Sequence, residues 1–249
     1  KVFNSNLVGT FNLLKKIRID NTKLIFLSSS RVYSIKELNK ISKNKNIKNK
    51  IRSKLKVDHS FSTNSPVSLY GFSKLASEML IKEFNYMHNI KYIINRFGVI
   101  AGPWQFGKVD QGFVSLWVER HMNKKKLTYM GYGGHGNQVR DLIHIEDVCE
   151  IILKQIQKMN IIFNESFDIG GGLKNSISLK ELTKKCQNLT KNRIKILKRT
   201  KTSIFDIPYF VTNNNKIKKM YNWFPKRNVN QIIFDIHTWL KENKKLLKG

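Results

Sequence analysis

"KLIFLSSSRVY", residues 23–33, opens with a run that is apolar at every position from Leu24 to Leu27 and closes with three serines. A short strand that is apolar on both faces suits the interior of a parallel sheet, which helices cover on either side. The flanking sequence agrees. Its spacing predicts a helix over residues 7–19, a strand over 23–27, a polar insertion over 34–64 and a second helix from Pro66, an alternation of α/β type. In open α/β sheets ligands bind beyond the carboxyl ends of the strands. Ser28, Ser29 and Ser30 stand at such an end.

The second helix reads "SPVSLYGFSKLASEML", residues 65–80. Ser65 is expected as its N-cap and Pro66 at the first helical position, where a missing N–H costs nothing. Leu69, Phe72, Ala76, Met79, Leu80 and Met87 recur at helical spacing and are expected to face the core. Tyr70 and Lys74 lie about 40° apart on the helix wheel and one turn apart in height, so their side chains can meet. Such a pair has two readings. One is a packed phenol ring beside a solvated lysine. In the other the ammonium favours the phenolate, lowering a pKa of about 10 so that the tyrosine can act as a general base. A serine hydroxyl from the strand end would then bond the same substrate oxygen, and an alcohol could be oxidised given a hydride acceptor.

The chain has 249 residues, is 41% hydrophobic and carries a formal charge of +29. No apolar run approaches the roughly 20 residues a membrane span needs, and the first residues do not read as a signal peptide. The lysines are scattered among Asn and Ile, as in "KISKNKNIKNKIRSKLK", and no nucleic-acid motif accompanies them. A nucleic-acid or membrane partner is therefore not expected, and the "KNKNIKNK" run is read as a solvated loop. Cys149 and Cys186 fall in apolar helical stretches, which suggests a reducing compartment with neither a disulfide framework nor a metal cluster.

Five ordered motifs carry a resemblance. "NLVGTFNLL" at residues 6–14, "SSSRVY", "YGFSK", "QVRDLIHIEDV" at 138–148, and "FDIGGG" followed by "SLKEL" together resemble the extended short-chain dehydrogenase/reductase family of nucleotide-sugar epimerases and dehydratases. The resemblance covers nearly the whole chain. It implies a Rossmann-like doubly wound parallel sheet and a smaller C-terminal α/β region, with residues 1–100 belonging to an NAD-binding domain and 101–249 mainly binding the nucleotide-sugar substrate. It implies NAD as cofactor and Ser29, Tyr70 and Lys74 as the catalytic set, with Ser28 and Ser30 as alternates for Ser29. Asn6, Ser28, Tyr70, Lys74 and Gly98 would touch the cofactor, and Ser30 and Arg31 the substrate. Asn6 can also be read as an ordinary buried amide. Arg140 would meet the nucleotide diphosphate, with Asp141 as its structural partner, although an Arg-Asp pair can equally be a loop salt bridge. His144 is expected as a packed ring. Ser178 and Glu181 form a capping-box pattern. By the family pattern the first β-α units, with their glycine-rich pyrophosphate turn, would precede Lys1, so the chain would be a fragment or a truncated product and would bind NAD weakly by itself.

"NRFGVIAGPWQFGKVDQGFV", residues 95–114, is similar to the CDP-paratose (tyvelose) 2-epimerases and would offer Gln105, Asp110 and Gln111 to the substrate. It departs from the wider family at Val99 and Ala101. Two glycine-rich stretches do not open a helix as a dinucleotide fingerprint requires. "GYGGHGNQVRD" reads as a hairpin and "GGG" at 170–172 as a turn. The resemblance therefore implies a cytoplasmic, homodimeric, NAD-dependent epimerase acting at C2 of a CDP-hexose. A 4,6-dehydratase is the rival, but relatives of that kind carry Asp-Glu after the catalytic threonine, where this chain has Ser30 and Arg31. A non-catalytic remnant that binds a nucleotide or a partner protein is the third reading.

Overall fold

A computed structural model describes residues 1–43, 56–108 and 111–244. A π-helical turn at Asn4–Val8 leads into α1 (Gly9–Asp20), followed by β1 (Leu24–Ser29), α2 (Ile35–Lys43), α3 (Ser68–His88), β2 (Tyr92–Phe97) and β3 (Val99–Ala101). Then come α4 (Phe113–Met122), β4 (Leu127–Met130), β5 (Val139–His144), α5 (Ile145–Lys158), β6 (Glu165–Ile169) and β7 (Ser176–Ser178). The chain closes with α6 (Leu179–Thr190), β8 (Ile196–Arg199), β9 (Tyr209–Phe210), α7 (Asn215–Tyr221) and α8 (Val229–Glu242). The abundant asparagines have a structural use. Asn21, Asn89 and Asn222 end α1, α3 and α7 in the left-handed conformation, which asparagine tolerates better than most residues.

Two compact units result. The first comprises Lys1–Gly98, Glu150–Ile169 and Thr212–Phe224. Its parallel sheet has the order β1-β2-β6, with Ser29 opposite Phe97 and Phe97 opposite Ile169. All six residues of β2 are buried, as befits a central strand. Its polar members are paired inside, since Asn95 and Gln155 exchange two amide hydrogen bonds of 2.7 and 2.9 Å. Leu14, Ile17, Leu24, Ile81, Phe84 and Ile94 form the core between α1, α3 and the sheet.

The second unit comprises Val99–Cys149, Gly170–Val211 and Pro225–Gly249. Here β5 pairs with β3 and β9 in parallel and with β7 antiparallel, while β4 pairs with β8. Val114, Trp117, Leu142, Leu182, Ile232 and Ile236 pack at its centre. The Ser178–Glu181 capping box opens α6 as expected.

Several expectations are corrected. The polar insertion holds a helix, α2, in its first part, and the "KNKNIKNK" loop reading falls, apart from Lys43, outside the described residues. α3 starts at Ser68 instead of Pro66, because the Pro66 carbonyl accepts the Ile35 amide and ties that segment to the start of α2. The Ser68 hydroxyl, not that of Ser65, accepts a helix N–H, that of Gly71, at 3.2 Å. Of the apolar stripe of α3, Leu80 packs against the core, but most of the rest does not. Leu69 is 71% exposed, Phe72 46% and Met79 62%, while Gly71, Ser73, Ser77, Glu78, Ile81 and Phe84 face inward. Small residues occupy the inner face because the backbone of α3 comes so close to its neighbours there. The "GYGGHGNQVRD" stretch is not a hairpin, since β4 and β5 join different strands. Cys149 is exposed and Cys186 buried, so only one of the two lies on an inward face.

Candidate active site

Within the first unit, β1 delivers Ser28 and Ser29 to the carboxyl edge of the sheet and α3 lays Tyr70 and Lys74 alongside. The Lys74 ammonium donates to the Leu27 carbonyl at 2.9 Å and stands 4.9 Å from the centre of the Phe26 ring. Burial lowers the Lys74 pKa from its usual range, and the charge of Glu78, one turn further along α3, works against that shift. Tyr70 is 42% exposed. No hydrogen bond joins its hydroxyl to Lys74 among the described residues. The lysine is thus held by the strand and the phenol is left open to an incoming group.

Ser29 ends β1, and its hydroxyl accepts the Arg31 amide at 3.2 Å, capping a short helical turn over Ser30–Val32. Arg31 is exposed, and its carbonyl faces the backbone of Gly71, where a Cβ would stand 2.2 Å from the oxygen. That contact sets the residue after Tyr70 against the turn that follows Ser29. Alternation along the strand sends Ser28 the other way. Its hydroxyl is buried and donates to Glu78 Oε1 at 2.5 Å.

Asn6 lies in the π-helical turn, a helix defect often associated with functional sites. Its amide donates to the Ser73 hydroxyl at 3.0 Å, and Ser73 donates in turn to the Tyr70 carbonyl at 2.8 Å. Ser77 reaches the Asn6 carbonyl at 3.1 Å. Gly98 continues β2, and its amide donates to the Ile169 carbonyl at 2.9 Å.

The expected substrate residues on the later part of the chain lie in the second unit. Gln105 donates to the Ile100 carbonyl at 3.3 Å, Gln111 is exposed, and Asp110 lies outside the described residues. Arg140 is expected beside Asp141 as its partner, and the structure gives it Asp206. Successive residues of β5 point to opposite faces, so Arg140 bonds Asp206 at 3.1 Å and the Ile207 carbonyl at 2.6 Å, while buried Asp141 accepts the Gly172 amide at 2.9 Å. His144 is a packed ring, fully buried, with the Glu146 amide donating to its Nδ1 at 3.1 Å and Asp235 3.2 Å from its Nε2.

A family model described as "NAD dependent epimerase/dehydratase family" matches residues 1–170. The chain belongs to that family. NAD is therefore the cofactor of this epimerase/dehydratase chain, and the donor set at the edge of β1 fits it: an accessible phenol and a half-buried ammonium suit the hydroxyl-rich nicotinamide-ribose end. The chain is 26% identical to the CDP-paratose 2-epimerase of Salmonella typhi, over 95% of its own length and 71% of that protein. It is 27% identical to a putative UDP-glucose 4-epimerase of Methanocaldococcus jannaschii, over 96% of its length and 70% of the relative. Among solved structures, the epimerase Mth375 of Methanothermobacter thermautotrophicus superposes with a TM-score of 0.82 at 17% identity, covering 98% of this chain and 67% of that one. UDP-glucose 4-epimerase of Thermotoga maritima gives 0.79 at 21%, covering 97% and 71%. These likenesses show a Rossmann-type fold for the epimerase/dehydratase chain. No helix among the described residues is long and apolar enough to cross a membrane.

Sequence reading missed the partners that join one buried group of this family member's residues, in which Ser28, expected at the cofactor, is bonded to Glu78 instead. Buried Glu78 receives Arg96 through Nε at 3.0 and 3.1 Å and Nη2 at 2.6 Å, besides the Ser28 hydroxyl. Arg96 Nη1 donates to the Tyr33 hydroxyl at 3.3 Å, and Tyr33 donates to the Asp168 carboxylate. Burial lifts Asp168 to about 6, against the pull of the Tyr33 hydrogen bond and the Arg96 charge. The only signal was a glutamate in a helix and an arginine in a strand otherwise suited to burial, and neither says which partner it meets.

Proposed function

We propose that the chain is an NAD-dependent nucleotide-sugar epimerase that works through a transient keto sugar, with a CDP-hexose inverted at C2 as its reaction. The observation that carries this reading is the Lys74 ammonium clamped to the Leu27 carbonyl at the strand end, with accessible Tyr70 one helical turn before it and Ser29 two residues after Leu27. Tyr70 takes the proton of the substrate hydroxyl, Ser29 holds the same oxygen, and Lys74 keeps positive charge beside the phenolate. NAD, when bound, supplies the acceptor and donor of hydride. Asn6 orders the helix that presents Tyr70, and Gly98 lines the same strand edge.

In the second unit, Gln105, Asp110, Gln111 and Arg140 are the proposed substrate contacts, together with Ser30 and Arg31 of the first. Arg140 is assigned to the diphosphate, with Asp206 holding its guanidinium fork. The likeness to a CDP-paratose 2-epimerase and the "QFGKVDQG" stretch support the choice of sugar. A homodimer is part of the proposal, because Phe3, Leu69, Phe72 and Met79 expose a large apolar face on the π-helical turn and α3. A cytoplasmic setting is also part of the proposal, supported by the two free cysteines.

Turnover of CDP-hexoses in deuterated water tests the reaction. An epimerase that returns the same hydrogen leaves the inverted carbon unlabelled and the mass unchanged. Loss of about 18 mass units with solvent deuterium in the sugar, the mark of acid–base elimination of water, would establish a dehydratase instead. Binding without any conversion would favour a non-catalytic protein.

A further inference from the structure

We propose that Glu78 is a positioning residue for the Tyr70–Lys74 pair, lacing α3 to the end of β1 through Ser28 and holding the Lys74 ammonium at the Leu27 carbonyl. The proposal rests on the reading of Tyr70 and Lys74 as the reactive pair. Two consecutive residues of β1 meet two residues of α3 one turn apart: Leu27 accepts from Lys74 at 2.9 Å, and Ser28 donates to Glu78 at 2.5 Å. Ser29 is the next residue, so the two rungs fix where its hydroxyl stands relative to Tyr70. Residues four apart on a helix are neighbours, so the Glu78 carboxylate lies within electrostatic reach of the Lys74 ammonium.

Glu78 is itself held from two sides, by Arg96 and by Ser28. Arg96 of β2 grips both carboxylate oxygens, Ser28 of β1 takes one, and Tyr33 and Asp168 of β6 stand behind Arg96. A guanidinium and a hydroxyl together satisfy this buried carboxylate. Its charge opposes the effect of burial on Lys74, which would otherwise favour the neutral amine. Among the described residues, the Phe26 ring and the Leu27 carbonyl also lie against Lys74, and both favour the cation. An ammonium kept charged beside a phenol is what a tyrosine base requires.

The ionisation of Lys74 can be read in the protein without cofactor or substrate, by competitive acylation with acetic anhydride and mass spectrometry of each lysine. Glu78→Gln keeps the shape and an acceptor for Ser28 but removes the charge. At about pH 8 the free-amine fraction of Lys74, and so its acylation rate, should rise roughly threefold to tenfold. Lys216, which is ion-paired with Glu165 in the same unit, and Lys184 of the second unit report unfolding and should not change. If Glu78→Gln leaves Arg96 uncompensated and the unit fails to fold, the double variant Glu78→Gln/Arg96→Gln removes both buried charges. It should show a smaller rise in the same direction. An unchanged Lys74 rate in a folded variant, single or double, would overturn the proposal. A raised rate in a protein that converts no nucleotide sugar would refute the epimerase reading while leaving the Glu78–Lys74 coupling in place.

Discussion

The backbone of Gly71 lies so close to Arg31 that a Cβ at this position would stand 2.2 Å from the Arg31 carbonyl oxygen. The approach joins the helix that carries Tyr70 to the turn that Ser29 caps. Gly71→Ala must push the two apart, and since the obstructing atom is backbone it cannot swing aside. The variant should lose about 1–3 kcal/mol of stability, the usual cost of overpacking, read from its urea midpoint. Turnover should fall as well. An unchanged midpoint would show that α3 shifts freely and that the contact does not set the geometry.

Tyr70→Phe removes the hydroxyl that is open to substrate and nothing that holds the fold, as Tyr70 makes no side-chain hydrogen bond among the described residues. Turnover should drop by about 100-fold or more, within the range for loss of a positioned base. Lys74→Ala should act similarly and also weaken NAD binding, because it removes the half-buried ammonium. Steady-state rates and a cofactor titration separate the two effects. Full activity in Tyr70→Phe would place the base elsewhere.

Burial lifts the Asp168 carboxyl to about 6, above the value of about 3.9 for an unfolded chain. Between those two values the folded protein keeps a proton that the unfolded chain has released. This group's contribution to stability therefore falls as pH rises from about 4 to about 6, by about 2–3 kcal/mol in all, and is level above that. Asp168→Asn retains an acceptor for the Tyr33 hydroxyl and cannot ionise. Relative to the natural chain, it should be near neutral at about pH 4 and more stable by about 1–3 kcal/mol at about pH 8. Equal differences at both pH values in denaturant titrations would contradict the assigned environment.

The apolar face of α3 makes an association test direct. Met79→Glu places a charge where a partner helix would pack, away from the inner face with its Gly71, Ser73 and Ser77. Light scattering should find the natural chain as a dimer and the variant as a monomer with the same circular dichroism. A natural chain that is already monomeric at micromolar concentration would remove the dimer from the proposal.

Much of this molecule could be read from its sequence where local pattern decides the outcome. The apolar run before Ser28 gave a parallel strand, and Ser178 with Glu181 gave a capped helix, because both depend on neighbours in sequence; the expected interior position of that strand did not hold, since β1 ends the β1-β2-β6 order and leaves Leu27 47% exposed. The stripe on α3 was misread since helical periodicity reports that one face is apolar but not which face the fold covers. Gly71, Ser73 and Ser77 mark the close approach only once Arg31 and Asn6 are known to lie opposite. Asp206 could not be foreseen as a partner of Arg140, because it lies 66 residues further along the chain. The Ser28–Glu78–Arg96–Tyr33–Asp168 chain was invisible, as its members are spread over residues 28–168 and meet only through the order β1-β2-β6.

The way the first unit is threaded bears on how the chain is born. Its third strand, β6, arrives only at residue 165, and the segment Thr212–Phe224 arrives later still. A nascent chain that has emerged as far as Gly98 therefore offers β2 with one neighbour in place and one edge bare, and Asn95 and Arg96 on that strand wait for Gln155 and Tyr33–Asp168 contacts not all yet made. Long-range strand pairing of this kind is slow to form and leaves apolar edges exposed in the meantime. Residue 224 is thus the point in translation at which all the segments of the first unit have been made, and a chain stalled before it should be degraded or bound by chaperones instead of accumulating as a folded unit.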